Sequence, residues 1–139
     1  MLISKDYITN YIPQRDPFIM IDALLSANEE CFSSSFEIKQ DNLFLFNGKL
    51  SDVALVENIA QTCAAGFGYL GSQNNTTEAR LGFIGAVSRL QVFEEAFAKD
   101  RIETTINILN RFENIYLIEG ITTRNGTALL KCQMKIVQA

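Results

Sequence analysis

Apolar residues follow two rhythms along this chain, and the denser one occupies its middle. From Leu50 to Gly71 the sequence reads LSDVALVENIAQTCAAGFGYLG, and between Val53 and Leu70 the one charge is Glu57. A helix that is apolar on every side either spans a membrane or is wrapped by other elements. Asn58, Gln61 and Thr62 interrupt the run and strand-like segments flank it, which favours wrapping. Ser51 and Asp52 offer an N-cap oxygen and a negative charge at the positive end of the helix dipole. Gly66, Gly68 and Gly71 are expected to loosen the helix and then end it.

The second rhythm is alternation. Between 101 and 109, Ile102, Thr104, Ile106 and Ile108 alternate with polar or charged neighbours. In the last run Ala128, Leu130, Cys132, Met134 and Ile136 share one face, and Lys131, Gln133 and Lys135 take the other. Asn125-Gly126, after a strand-like segment at Asn114 to Thr123, predicts a type I′ hairpin. Phe18 to Ser26 reads as a buried strand, with Cys31 to Ile38 as its partner across a turn at Ala27 to Glu30. Leu81 to Phe93 reads as another strand, with close backbone approach at Gly82 and Gly85. Asn42 to Lys49 leads into the helix as an extended segment with Phe44 and Phe46 on one side. Residues 3–11 place Ile3, Tyr7, Ile8 and Tyr11 at helical spacing and predict a short amphipathic helix. Pro13 and Pro17 then stiffen a loop, the second of them compatible with a preceding cis bond. Ser72 to Glu78 is a polar loop. The order is short helix, two strands, long helix and about four antiparallel strands. It describes one α+β domain over residues 1–139, a curved antiparallel sheet around a single central helix, which is the layout of the hotdog fold.

Composition narrows the function more than the fold. A net charge of -4 and a pI near 4.8 argue against nucleic acid as a partner, because phosphate binding needs a basic field. No stretch is long and apolar enough to span a membrane, and the N-terminus, with Lys5 and Asp6 among its apolar residues, does not read as a signal peptide. Cys31, Cys63 and Cys132 form no metal spacing and no even set, so reduced thiols in a cytoplasmic protein are expected, with no metal and no cofactor. There is no histidine, which removes the commonest general base.

Three motifs carry a resemblance. YIPQRDPFIMIDALL resembles the leucine-proline-histidine-arginine-x-proline-phenylalanine opening and first strand of the 3-hydroxyacyl-carrier-protein dehydratases of the FabZ and FabA type, above all their shorter relatives from aryl-polyene and flexirubin pigment clusters. LVENIAQTCAAG is similar to that family's central-helix motif, a Glu followed four residues later by a Gln. LGFIGAVSRLQV resembles the strand after the helix. The resemblance implies a homodimer, or a larger homo-oligomer of dimers, acting in fatty-acid or pigment biosynthesis. Its substrate would be a 3-hydroxyacyl thioester on acyl carrier protein or coenzyme A. Each site would share a His of one chain with a Glu of the other: the His takes the proton beside the thioester carbonyl, and the Glu helps expel the 3-hydroxyl as water. Carried over, Glu57 matches the catalytic Glu and Gln61 the Gln that orients it, while Gln14 stands at the His position and Asp52 at a glycine whose backbone NH polarises the carbonyl. Arg15, Phe18, Asp52, Val53 and Gly85 are the implied substrate-binding positions.

The residues qualify what the resemblance implies. An amide takes no proton near neutral pH, so Gln14 exchanges hydrogen bonds but does not replace an imidazole. Asp52 brings negative charge to a place where an enolate-like oxygen would develop. Glu57 must be solvated, paired or protonated, since burying a free carboxylate is expensive. Three readings follow for it: a side chain satisfied by Gln61, Gln14 or Arg15; the acid and base of a dehydratase without His; or the water-activating group of a thioesterase in which Gln14 polarises the carbonyl. A non-catalytic acyl-binding subunit that pairs with an active dehydratase is the alternative to an enzyme. Arg15 either pairs locally with Asp16, faces solvent, or meets a phosphopantetheine phosphate, with Lys49, Arg80, Arg89 and Arg111 as further cations for such a patch.

Overall fold

The computed structural model describes residues 1–73 and 82–138. Helix α1 runs from Asp52 to Gln73. Ser51 caps it: its Oγ accepts the Val53 N–H at 3.3 Å and its carbonyl accepts the Ala54 N–H at 3.0 Å. Two expectations for this helix are corrected. Gly71 does not end it, for the helix continues to Gln73. Nor is it wrapped on every side. Leu55, Asn58, Ile59, Thr62, Cys63 and Gly66 are buried, whereas Val53 is exposed and Glu57, Ala60 and Ala64 are half-buried.

The strands are β1 (Ala23–Ala27), β2 (Cys31–Glu37), β3 (Leu45–Phe46), β4 (Lys49–Leu50), β5 (Gly82–Val92), β6 (Arg101–Phe112), β7 (Ile115–Arg124) and β8 (Thr127–Gln138). Six of them form one antiparallel sheet in the order β1-β2-β6-β7-β8-β5, and β3 and β4 form a separate two-stranded hairpin. Alternation works as the pattern requires: Ile102, Thr104 and Ile106 of β6 and Cys132, Met134 and Ile136 of β8 are buried, with exposed or half-buried residues between them. The β7–β8 turn places Asn125 at φ 51° and Gly126 at φ 81°, as the Asn-Gly pair predicts. The single long helix packed on this sheet is the hotdog layout. Among the described residues no helix is long and apolar enough to cross a membrane.

Core packing fixes how closely the helix lies on the sheet. Phe32 of β2 sits over Gly66, where an added Cβ would come within 2.4 Å of its ring, and Gly120 of β7 leaves the same kind of room for Ile59, at 2.5 Å. These glycines are there for close approach, not for turning the chain. Phe32 also meets Phe67 edge-on at 5.1 Å between ring centres, and Phe67 meets Tyr116 at 4.5 Å. All three cysteines are free; Cys63 and Cys132 are buried, and burial pushes the Cys132 thiol up to about 11 and the Cys63 thiol up as well.

The N-terminal third departs most from expectation. Residues 3–11 contain one 3-10 turn, Ile8–Asn10, instead of an amphipathic helix, and Ile3 forms an antiparallel bridge with Leu24. The strand expected from Phe18 begins only at Ala23. Asn42 to Lys49 folds into the β3–β4 turn, leaving Phe46 78% exposed while Phe44 packs against the core. The Asp16–Pro17 bond is cis. Of the polar loop expected at 72–78, Ser72 and Gln73 belong to α1; positions 74–78, like Leu81 of the next expected strand, lie outside the described residues. Replacing Gly66 by Ala is expected to destabilise the fold by about 1–3 kcal/mol through overpacking against Phe32. Urea denaturation measures this, and an unchanged midpoint would show that Phe32 does not seat on the helix.

Candidate functional site

Phe18 to Met20 forms no regular strand because side chains of α1 take the place of a strand partner. The Gln61 amide accepts the Met20 N–H at 2.7 Å through Oε1 and donates through Nε2 to the Phe18 carbonyl at 2.9 Å. Asn58 Nδ2 donates to the Met20 carbonyl at 2.6 Å, while its Oδ1 accepts the Thr104 hydroxyl of β6. Thr62 donates to the Asn58 carbonyl at 2.8 Å and meets the Ser34 hydroxyl at 2.7 Å. Asn58, Gln61, Thr62, Ser34 and Thr104 are all buried, so this network satisfies groups that water does not reach. One turn before Gln61, Glu57 accepts a further Nε2 hydrogen bond at 2.9 Å. Gln61 therefore joins the Phe18–Met20 segment and the Glu57 carboxylate in one arrangement.

Glu57 lines a pocket of about 430 Å³. One wall is the loop from Thr9 to Arg15, a second is Ala60, Ala64 and Phe67 of α1, and a third is Gly82, Phe83 and Ile84 of β5 with Ile136 and Gln138 of β8. Gln14 and Glu57 of the same chain thus line one space. Gln61 stands behind Glu57, fully buried. Arg15 also lines the pocket, but one of its terminal nitrogens donates at 2.8 Å to both the Ile12 and Gln14 carbonyls, bracing the loop, rather than meeting Asp16.

The other positions named from sequence do not line this pocket. The Phe18 side chain is 53% exposed and only its carbonyl is engaged by the site. Asp52 and Val53 are exposed at the start of α1, and Gly85 lies on β5 against Val137 and Lys135. Lys49 is bound by Glu95 and Arg111 lies over the Tyr116 ring at 5.2 Å, while Arg80 lies outside the described residues. Sequence reasoning named Asn58 only as a polar interruption and missed its hold on Met20. The signal was there, as Asn58, Gln61 and Thr62 lie together on an otherwise apolar face.

Residues 7–139 match the family model described as ApeP-like, ApeP dehydratase. The chain belongs to the ApeP-like dehydratase family. Solved structures share its hotdog fold. The dehydratase heterocomplex ApeI:P from Xenorhabdus doucetiae matches with a TM-score of 0.86 at 17% identity, over 95% of this chain and 90% of that one. A hypothetical thioesterase with coenzyme A from Streptococcus pneumoniae TIGR4 matches with 0.65 at 8% identity, over 84% of each chain. Cj0977, a sigma28-regulated virulence protein from Campylobacter jejuni, matches with 0.72 at 7% identity, over 95% of each. Among curated proteins none matches the sequence. In this ApeP-like chain, Gln61→Met keeps the side-chain length but removes three hydrogen bonds, at Met20, Phe18 and Glu57. It is expected to cost about 2–4 kcal/mol in urea unfolding, because buried backbone groups lose their partners. A loss below about 0.5 kcal/mol would mean that the segment is held by other contacts.

Proposed function

We propose that this ApeP-like chain is an acyl-thioester-binding subunit of a 3-hydroxyacyl dehydratase assembly, paired through β5 with a second hotdog chain. The observation that carries this reading is the condition of the pocket's β5 wall. β5 lends Gly82, Phe83 and Ile84 to the pocket, yet it is an edge strand and all 11 of its residues are exposed. Phe83, Ile84, Val87, Leu90 and Val92 make that edge apolar over most of its length. Such an edge is a template for another strand. A second chain laid along it gives the backbone its partners and closes the wall.

The chemistry of the pocket supports the same reading. Ala60, Ala64, Phe67 and Ile136 offer an apolar lining to an acyl chain, and Glu57 is the carboxylate presented to it. Dehydrating a 3-hydroxyacyl thioester requires a base for the proton beside the carbonyl and an acid for the departing hydroxyl. Glu57 supplies one proton-transfer group, and Gln14, which lines the same pocket, supplies none. With no histidine in the chain, a second copy would add no imidazole either, which favours a partner of different sequence. The matching ApeI:P structure, itself a dehydratase heterocomplex, supports such a partner. A second reading, in which the chain alone dehydrates with Glu57 as both acid and base, is favoured by the Gln61 bond that presents the carboxylate.

The test co-expresses the chain with the hotdog dehydratase of the same cells and measures mass by light scattering and turnover of a 3-hydroxyacyl thioester. A one-to-one pair is expected, with the chain alone slower by about 10²–10⁴-fold, the usual worth of a missing proton-transfer group. Val87→Glu on the β5 edge should weaken the pair at least tenfold while far-UV circular dichroism is unchanged. A chain that ignores the dehydratase and turns over equally well by itself would sink the subunit reading and leave the second one.

A further inference from the structure

The loop from Thr9 to Arg15 takes no part in the sheet, so whatever fixes its distance from α1 also fixes the width of the pocket between them. Ile8 and Ile12 draw it inward. Both are buried, in an apolar cluster apart from the main core that also takes in Ala65 of α1. Apolar burial is non-directional and sets no separation of its own, so the approach continues until atoms touch. They touch at backbone. An added Cβ at Gly68 of α1 would lie 2.9 Å from the Tyr11 carbonyl oxygen and 3.5 Å from the Tyr11 Cβ, so the loop rests directly on the helix there. Tyr11 lines the pocket from the loop side and Ala64, one turn before Gly68, lines it from the helix side. The contact thus stands where two walls of the pocket meet.

Glycine is otherwise a poor choice at this place. Gly68 lies inside α1 and its φ is not positive, so no turn requires it, and inside a helix it is less favourable than alanine by about 1 kcal/mol. Resting on the acyl-thioester reading above, we propose that Gly68 is a positioning residue that sets the width of the acyl pocket by letting the Tyr11 backbone lie against α1. A methyl group at this position meets a carbonyl that has no side-chain rotation with which to yield. The loop must then move outward by about half an ångström to restore ordinary contact. A gap of that size forfeits part of the dispersion attraction between a slim chain and the displaced wall, whereas a thicker chain still reaches both walls.

The experiment is titration calorimetry of the full chain, unaltered and as Gly68→Ala, with octanoyl-N-acetylcysteamine and the thicker 4,4-dimethyloctanoyl-N-acetylcysteamine. Gly68→Ala is expected to bind the octanoyl thioester about 10-fold more weakly and the branched one at least as tightly as the unaltered protein does, which moves the affinity ratio by about 10-fold or more. A merely structural role for Gly68 would lower both affinities together. A ratio equal in the two proteins within about twofold therefore overturns the assignment while leaving acyl binding in place. Loss of the folded state in Gly68→Ala, read by far-UV circular dichroism, overturns it too, because the contact would then hold the fold and not the pocket's width. Failure of both thioesters to bind the unaltered protein overturns the acyl-thioester reading and this inference with it.

Discussion

A single side-chain amide carries the arrangement. Gln61 lies on the buried face of α1 and spends its hydrogen-bonding groups on a backbone N–H, a backbone carbonyl and a carboxylate. Buried peptide groups need partners, and in the Phe18–Met20 segment those partners are Gln61 and Asn58 instead of a neighbouring strand. The segment can thus run past the helix without joining the sheet. The loop before it is brought over Glu57, and the site exists because the backbone is satisfied in this way.

The same amide also holds Glu57. A carboxylate on a largely apolar helix survives only with a hydrogen bond or water beside it, and Glu57 has a donor on one side and the pocket on the other. The rest of the pocket is assembled from parts that have their own structural work: the braced loop at Arg15, the aromatic contacts of Phe67, and the edge strand β5. The Gln14 amide and the exposed apolar strand β5 line the same pocket.

Local periodicity made the core legible in the sequence. The uniform apolarity of residues 53–70, the alternation in β6 and β8, and the Asn-Gly turn each follow from one physical rule, and the structure contains all of them. The misreadings fall where tertiary contacts outweigh local pattern. Phe18 to Asp22 looks like a strand because it is apolar, and nothing local announces that α1 side chains will take its hydrogen bonds. Ile3, Tyr7 and Ile8 have helical spacing, but Ile3 instead bridges to Leu24 of β1. Gly66 looked like a loosening point, and its reason is the Phe32 ring, 34 residues away in the chain. Glu57, Gln14 and Gln61 were legible because a charge and amides stand out in apolar surroundings. That Gln14 Oε1 is shielded from solvent without a hydrogen-bond partner among the described residues was not, since it depends on where neighbouring donors point.

Amide hydrogen exchange at Met20, followed residue by residue by NMR under native conditions, tests the central claim most directly. If Gln61 Oε1 holds that N–H, Met20 exchanges only through openings as rare as those of the core of α1, although it lies outside any helix or strand. Exchange at Met20 as fast as in an unstructured peptide would contradict the account, because Gln61 would then not hold the segment that carries the site.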